Sequence, residues 1–580
     1  MLVLPAFGAS QTFTEWPIAN GTFDGVTEVS GADLDQDGDL DVVAASRGDN
    51  VIAWWENDVS VTPVWTYHGV GPCGGANGVY AGDLDGDGAP DILASCDNGD
   101  DIVWWESDGG SPPSFAYHLV DSWYVSPTSV YAEDLDGDGD VDVLATATQQ
   151  GITWWENDGT ASPEFAAHKH IINYEYAGAM SVYAADVDGD GDNDVLGASG
   201  WDGYITWWKN RGGSPPSFQE NLIESGNERV NCVHADDLDG DGDMDVLASV
   251  GGTIDDIVWW ENDGSQHFTR HTIKDLFDNA NSVYTADVDG DGDVDVLGSA
   301  GVDDEITWWE NDPSGDAPPS DPIVWTEHKV KGNFQGATDV YCADFDNDED
   351  MDILGAAYED EDITWWENMQ DFSISCSNPN QAVPAGSAAV FDIAVTSEGG
   401  FSRPVTLTVD GLPQGTAATF TTSPVTPTAS SILTIATDVS TPSGTHELTL
   451  TGSSRDRSRS ITLSLDVQDF EILNETPPRI ILPGGWVTFT VALGAVNGFH
   501  EEVHLSTEGL PPGYLADFAG NPVIPSGTSV MTVTAGTHAL RYPQELAVVG
   551  TSGSLAHSTT VRLEPPNSVR LVLIMKDCVP

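Results

Sequence analysis

Along the first 368 residues, apolar side chains come in short runs, each closed by Gly, Pro, Asn or Asp. A run such as SVYAAD (Ser181 to Asp186) alternates apolar and polar residues, the period of a strand. It enters an acidic loop, which the apolar run DVLGAS (Asp194 to Ser199) leaves. After a turn comes ITWWEN or a close version of it, ITWWKN from Ile205. A loop of Gly, Ser and Pro follows, then an aromatic-x-x-His run such as FTRH (Phe268 to His271). Four strand segments per unit are predicted. Helices are excluded, because the apolar runs are too short and every gap is punctuated.

The unit repeats at intervals of about 50 residues. Its acidic string begins at Asp33, Asp83, Asp134, Asp186, Asp237, Asp287 and Asp344, which makes seven copies. The last interval is stretched by a Pro- and Gly-rich insertion around Asp312 to Asp321. Seven four-stranded units are the recipe for a propeller. TFTEWPI (Thr12 to Ile18) resembles a fourth strand but precedes the first acidic loop, whereas the seventh unit stops at Asn368 without one. The N-terminal strand is therefore predicted to complete blade seven, which removes the free sheet edges.

From Asp371 the pattern changes. DFSIS at Asp371 returns as DFEIL at Asp469, GFSRPVTL at Gly400 as GFHEEVHL at Gly498, and GLPQG at Gly411 as GLPPG at Gly509. The constant offset marks two tandem domains with the Thr, Val, Gly and Pro content of β-sandwiches. The predicted layout is all-β: residues 1–10 as a signal-peptide remnant, a propeller over 11–368, sandwiches over 369–468 and 469–566, and a tail over 567–580.

Charge adds the chemistry. With 95 Asp and Glu against 18 Lys and Arg the net charge is −77. A chain this acidic does not grip nucleic acid or anionic membrane, and it attracts cations. No apolar stretch is long enough to span a bilayer as a helix. The seven loops alone hold 34 Asp. In the first, Asp33, Asp35, Asp37 and Asp41 take positions one, three, five and nine, Gly38 takes six, and the main-chain carbonyl of Asp39 takes seven. The corresponding residues are Asp83, Asp85, Asp87, Ala89 and Asp91; Asp134, Asp136, Asp138, Asp140 and Asp142; Asp186, Asp188, Asp190, Asp192 and Asp194. They continue with Asp237, Asp239, Asp241, Asp243 and Asp245; Asp287, Asp289, Asp291, Asp293 and Asp295; Asp344, Asp346, Asp348, Asp350 and Asp352. Hard oxygens at this density suit Ca²⁺, which takes six to eight of them. Soft-metal sites are excluded, since no Cys or His falls in any loop.

An EF-hand shares the first ligands but needs a Glu at position twelve, where this chain has Ala44, Ala94, Ala145, Gly197, Ala248, Gly298 and Gly355. A plain polar turn needs only one or two such residues, and so many carboxylates repel one another without a cation. About seven Ca²⁺ ions are expected, one per blade. The seventh loop has Glu349 where the others have Gly, so its site is predicted to be the weakest.

The units resemble FG-GAP or VCBS repeats, which build calcium-binding propellers in integrin α-subunit heads and many exported bacterial proteins. The resemblance covers Gln11 to Asn368 and implies Ca²⁺ between the first and second strands of each blade. The C-terminal pair is similar to Ig-like modules of bacterial surface proteins, with GLP-x-G and G-T-x-x-L as markers.

Other residues read as structure. The Trp doublets, Trp54-Trp55 to Trp365-Trp366, are expected to pack between blades, one member inward and the other against a neighbouring strand or solvent. His68, His118, His168, His271 and His328 share a fourth-strand slot with Trp16 and Asn221, which argues for a structural role. On the face opposite the acidic loops, Trp123, Tyr124, Tyr174, Tyr176, Trp201, Phe277 and Phe334 either contact a glycan or protein or simply anchor their loops. Cys232 and Cys342 are predicted core residues. Cys73 and Cys96 flank one unit, and the sequence leaves their pairing open. The tail SVRLVLIMKDCVP is expected to fold back on the last sandwich; pairing with a neighbouring subunit, with Cys578 in a disulfide, is the alternative.

The functional expectation is an exported, non-enzymatic calcium-binding protein of adhesion or surface recognition, with a glycan or surface protein as ligand. Homo-oligomers through the sandwiches and tail are the second reading, as in a self-assembling filament or surface layer. A polysaccharide lyase is the third, and the basic residues it needs form no recurring cluster.

Overall fold

The computed structural model describes residues 13–566 apart from 59–63, 161–162, 164, 227–228, 253–254, 312–322, 349, 399–400, 402 and 455–456. The first ten residues, Glu349 and the tail with Cys578 lie outside the described residues. Among the described residues the chain is all-β, with one 3-10 turn at Phe165–Ala167. It divides into two units, residues 1–371 with 398–402, and residues 372–397 with 403–580.

The first unit is built of seven four-stranded antiparallel sheets. Strands Val26–Ala32, Asp41–Ser46, Val51–Asp58 and Val64–Pro72 form one, in chain order. Five more follow the same plan. The remaining sheet takes Ala337–Ala343, Asp352–Ala357 and Asp362–Asn368 from the end of the unit and Phe13–Ala19 from its start. In that sheet Trp16 lies opposite Trp365. Each first strand packs on the first strand of the next sheet, and Val26–Ala32 packs on Ala337–Ala343.

The alternation of strand side chains explains the tryptophan doublets. Neighbouring residues face opposite sides of a sheet, so the two rings of a doublet enter two different cores. Trp54 joins Trp105 in one, Trp104 joins Trp155 in the next, and Trp55 joins Trp365 in another. All fourteen rings are buried, none above 4% exposed. Of the two alternatives expected for the second member of a doublet, a neighbouring strand or solvent, the burial of all fourteen rings leaves the packed one.

The first of each pair also carries the fourth strand. Trp54 stacks on His68, Trp104 on His118, Trp259 on His271 and Trp308 on His328, with centroids 4.4 to 4.8 Å apart. In the third sheet the partner of Trp154 is His170, not His168. The 3-10 turn takes up the residues before the strand Lys169–Asn173, which moves the slot along by two.

Along the centre of this unit the first strands present a layer of aromatics. Tyr80, Tyr131, Tyr183, His234, Tyr284 and Tyr341 touch in sequence, with centroids 4.3 to 5.5 Å apart. Beside it lies a cavity of about 460 Å³ whose lining includes Glu28, Asp339, Ser129, Ser282, Arg47 and Arg229.

Among the described residues the second unit holds three further sheets. Strand Arg457–Asn474 pairs with Gly444–Ser454 through Val467 and with Trp486–Val496 from Asp469 onward. It thus changes partner at Gln468 and belongs to both tandem repeats. Phe372, Phe391, Phe470 and Phe489 are buried beneath the sheets.

Candidate metal centres

The acidic loops join the first and second strands, for instance Ala32 to Asp41. The backbone at position four is left-handed in every loop: φ is +75° at Gly86, +74° at Gly137 and +59° at both Gln36 and Asn347. The carboxylates at positions one, three and five then receive main-chain N–H groups from further along the loop. Gly88 donates to Asp83 Oδ2 (3.0 Å), Asp87 to Asp85 Oδ1 (3.1 Å) and Ala89 to Asp87 Oδ1 (2.8 Å). The loop is a run of Asx turns.

Carboxylates converge as a result. Oxygens of Asp83, Asp85 and Asp91 all lie within 4.8 Å of one another, as do those of Asp134, Asp136 and Asp142, and of Asp186, Asp188 and Asp194. In the first and fifth loops the trio is Asp33, Asp35 and Asp37, and Asp237, Asp239 and Asp241. Buried oxygens at the centre receive no hydrogen bond: Oδ1 of Asp33, Asp237 and Asp287, each at position one, and Oδ1 of Asp188. A buried carboxylate oxygen without a donor is costly, and a cation removes that cost. The donor set is all hard oxygen, which fits Ca²⁺.

Position nine has a further task. Asp41 is fully buried and accepts from Leu34 N on Oδ2 and from Asn57 N on Oδ1, both at 2.9 Å. The same clamp ties Asp142 to Leu135 and Asn157, and Asp295 to Val288 and Asn311. It fixes the loop to the end of the third strand. Burial pushes these carboxyls up despite the clamp, to about 7 in Asp41 and Asp91, about 8 in Asp142 and Asp245, and about 9 in Asp295. Burial and then neighbouring carboxylates also raise Asp239 to about 6 and Asp289 and Asp346 to about 7. Position seven is different: the side chains of Asp140 and Asp243 lie against Gly159 and Gly264 in the turn after the third strand.

Two recurring elements of the repeat unit escaped the sequence reading. The Asn that closes the WWEN run donates its side chain to a position-two carbonyl of the preceding unit. Asn157 reaches Leu84 O, Asn210 reaches Leu135 O, Asn262 reaches Val187 O and Asn311 reaches Leu238 O, at 2.7 to 3.1 Å. The Glu before it adds negative charge beside position three, as Glu106 does for Asp85 and Glu310 for Asp289. That Glu is held by the fourth strand: Glu56, Glu106, Glu156, Glu261 and Glu310 pair with the five stacked histidines at 2.7 to 3.0 Å. Glu367 accepts from Trp16 Nε1 at 2.7 Å. The repetition of WWEN down the chain was the available signal.

The opposite loops separate into anchors and exposed rings. Tyr124, Tyr176, Phe277 and Phe334 are buried and pack edge-on against Trp155, Trp208, Trp309 and Trp366. Trp123, Tyr174 and Trp201 are exposed. Cys73 occupies the anchor slot of the second unit and is disulfide-bonded to Cys96. Cys342 is buried and Cys232 partly so, both in first strands.

Residues 33–94, 83–145, 134–197, 186–248 and 237–298 each match the FG-GAP-like repeat. The chain therefore contains five overlapping FG-GAP-like repeats, each running from one acidic loop through the next. No curated protein matches the sequence. Among solved structures the chain is similar to domains 5-6 of the S-layer protein SbsC, at 13% identity over 34% of this chain and 99% of that one, with a TM-score of 0.14. A three-Ig structure of titin is 9% identical over 55% of this chain and 91% of that one, TM-score 0.20. The endo-fucoidan hydrolase MfFcnA9 is 13% identical over 32% of each chain, TM-score 0.14. Alignments this shallow carry no functional argument. Among the described residues no helix is long and apolar enough to cross a membrane.

Proposed function

We propose that residues 13–368 form a closed seven-bladed propeller that binds Ca²⁺ in its acidic loops, and that the chain is an extracellular, non-enzymatic protein of adhesion or surface recognition. The carrying observation is the set of converging Asp trios, together with the buried position-one oxygens of Asp33, Asp237 and Asp287 that lack a donor. Closure is supported by the packing of Val26–Ala32 on Ala337–Ala343 and by the shared core of Trp55 and Trp365. Calcium acts as a structural ion, neutralising each loop it occupies and pinning the first two strands together. Extracellular modules of this kind bind it at about 10⁻⁴ to 10⁻³ M, and the Cys73–Cys96 disulfide suits an oxidising compartment.

Recognition is assigned to the face opposite the calcium loops, where Trp123, Tyr174 and Trp201 are exposed. Exposed aromatic rings on a rigid frame suit a sugar or a protein surface. Metal analysis of the dialysed protein tests the calcium reading, and a glycan array with and without Ca²⁺ tests the ligand class. Absence of bound calcium at millimolar concentration overturns the first; turnover of a uronic-acid polymer overturns the non-enzymatic assignment.

A further inference from the structure

On the strand beside the fourth loop one residue departs from the repeat. Where the remaining units have Glu at the end of the third strand, the fourth has Lys209. Its Nζ pairs with Asp188 Oδ2 inside the loop and lies 2.9 Å from Asp190 Oδ2. Asp188 and Asp190 are positions three and five, and the side chain of Asp188 is buried.

A second change accompanies the first. In the other units the Glu is held from the fourth strand by a His, or by Trp16 in the seventh sheet. Opposite Trp207 the fourth strand instead carries Asn221, whose amide bonds with Gln219. Asn221 thus makes no call on position 209, and Lys209 swings to the acidic loop. The pair Glu–His has been exchanged as a whole for Lys–Asn.

We propose that the fourth loop binds no calcium because Lys209 is its permanent counterion. This rests on the calcium reading of the other loops. An ammonium group tethered on the adjoining strand is present at high effective concentration. It supplies positive charge where the ion would sit and repels a divalent cation from the remaining oxygens. The chain therefore carries one calcium fewer than its seven acidic loops, and one of its loops keeps its shape when calcium is withdrawn.

Two measurements on the full chain test this. The first is the number of calcium ions per chain, for the natural protein and for the double variant Lys209→Glu, Asn221→His, which rebuilds the common pair. One ion fewer than the number of loops is expected in the natural protein, and one more ion in the variant. The second needs no variant: amide hydrogen exchange with calcium and with EDTA. The segment 186–194 is expected to exchange at the same rate in both, while the corresponding segments 134–142 and 237–245 exchange faster in EDTA. A full complement of seven ions in the natural protein, or loss of protection at 186–194 in step with its neighbours, overturns the proposal and leaves the calcium reading intact. A natural protein with no bound calcium overturns the calcium reading itself, and this inference with it.

Discussion

Asn57 Nδ2 donates to the main-chain carbonyl of Phe345 at 2.7 Å, across 288 residues of sequence. The same amide donates to Leu40 O at 3.1 Å, while the main-chain N–H of Asn57 clamps Asp41. One residue thus ties the first acidic loop to the third strand of its own sheet and to the acidic loop of the last.

The contact between Asn57 and Phe345 gives a test of ring closure. Asn57→Ala leaves two carbonyls without their donor, one of them in a buried contact, a loss of about 1–3 kcal/mol. Asn210→Ala removes the equivalent contact to Leu135 between units adjacent in sequence. Urea denaturation is expected to give similar losses for the two variants. A markedly smaller loss for Asn57→Ala would show that the first and last sheets are not held together in solution.

Position four of the loops is where backbone conformation limits sequence. Gly137 has φ +74°, and nothing lies within 4 Å of the place a Cβ would occupy. Gly137→Ala is therefore expected to cost about 1 kcal/mol through the backbone alone. Gly137→Asn is expected to cost less, because Asn tolerates the left-handed region, as Asn347 does at the same position. Thermal melts in calcium check the order; equal costs for Ala and Asn would remove backbone strain as the cause.

The central cavity predicts a pH dependence separate from the loops. Burial and then the charge of Asp339 hold the Glu28 carboxyl well above its usual value, and burial pushes Asp339 up to about 6. Raised carboxyls bind protons more tightly in the folded chain, so their contribution is favourable at low pH and is lost as pH rises through the folded values. Glu28→Gln removes one charge and keeps an oxygen for the Val79 N–H, which lies 3.2 Å from Glu28 Oε2. It is expected to raise stability at pH 8 by on the order of 1–3 kcal/mol and to change little at pH 4.5. Calorimetry at both pH values decides, and an equal shift at each would refute the explanation by charge.

Much of this architecture was legible because each sheet is encoded within one short repeat. Asp33, Asp83 and their counterparts stand where strands one and two meet, and the four apolar runs became the four strands. What was hidden lies between repeats. Asn57 reads as the polar end of a strand until its partner in the seventh unit is known. The left-handed requirement at position four was masked by Gln36 and Asn347, whose side-chain amides bond instead to the neighbouring loops at Gly88 and Gly38. His168 was mistaken for His170 because a local 3-10 turn breaks the count. Lys209 was visible as a departure from WWEN, yet its meaning needed the loop beside it.

Calcium removal brings these terms together. Each loop occupied at ten times its dissociation constant adds about 1.4 kcal/mol to the stability of the fold that holds it. The five acidic trios named above lie in the first unit. EDTA is therefore expected to lower the calorimetric transition of the first unit and to leave that of the second where it was. The pH dependence of the gap follows from the position-nine carboxyls. In the calcium-free chain Asp41 and Asp91 sit at about 7 and Asp142 and Asp245 at about 8, through burial. Below the ordinary carboxylate range these groups are protonated in both folded and unfolded chains and cost nothing. As pH climbs toward the folded values the unfolded chain sheds its protons first, and the calcium-free fold weakens. Calcium binding needs the same groups ionised, so it strengthens over the same interval. The difference in melting temperature between calcium and EDTA should accordingly widen from pH 5.5 to pH 8. A gap that narrows over that range would mean that the loop carboxylates are not what calcium stabilises.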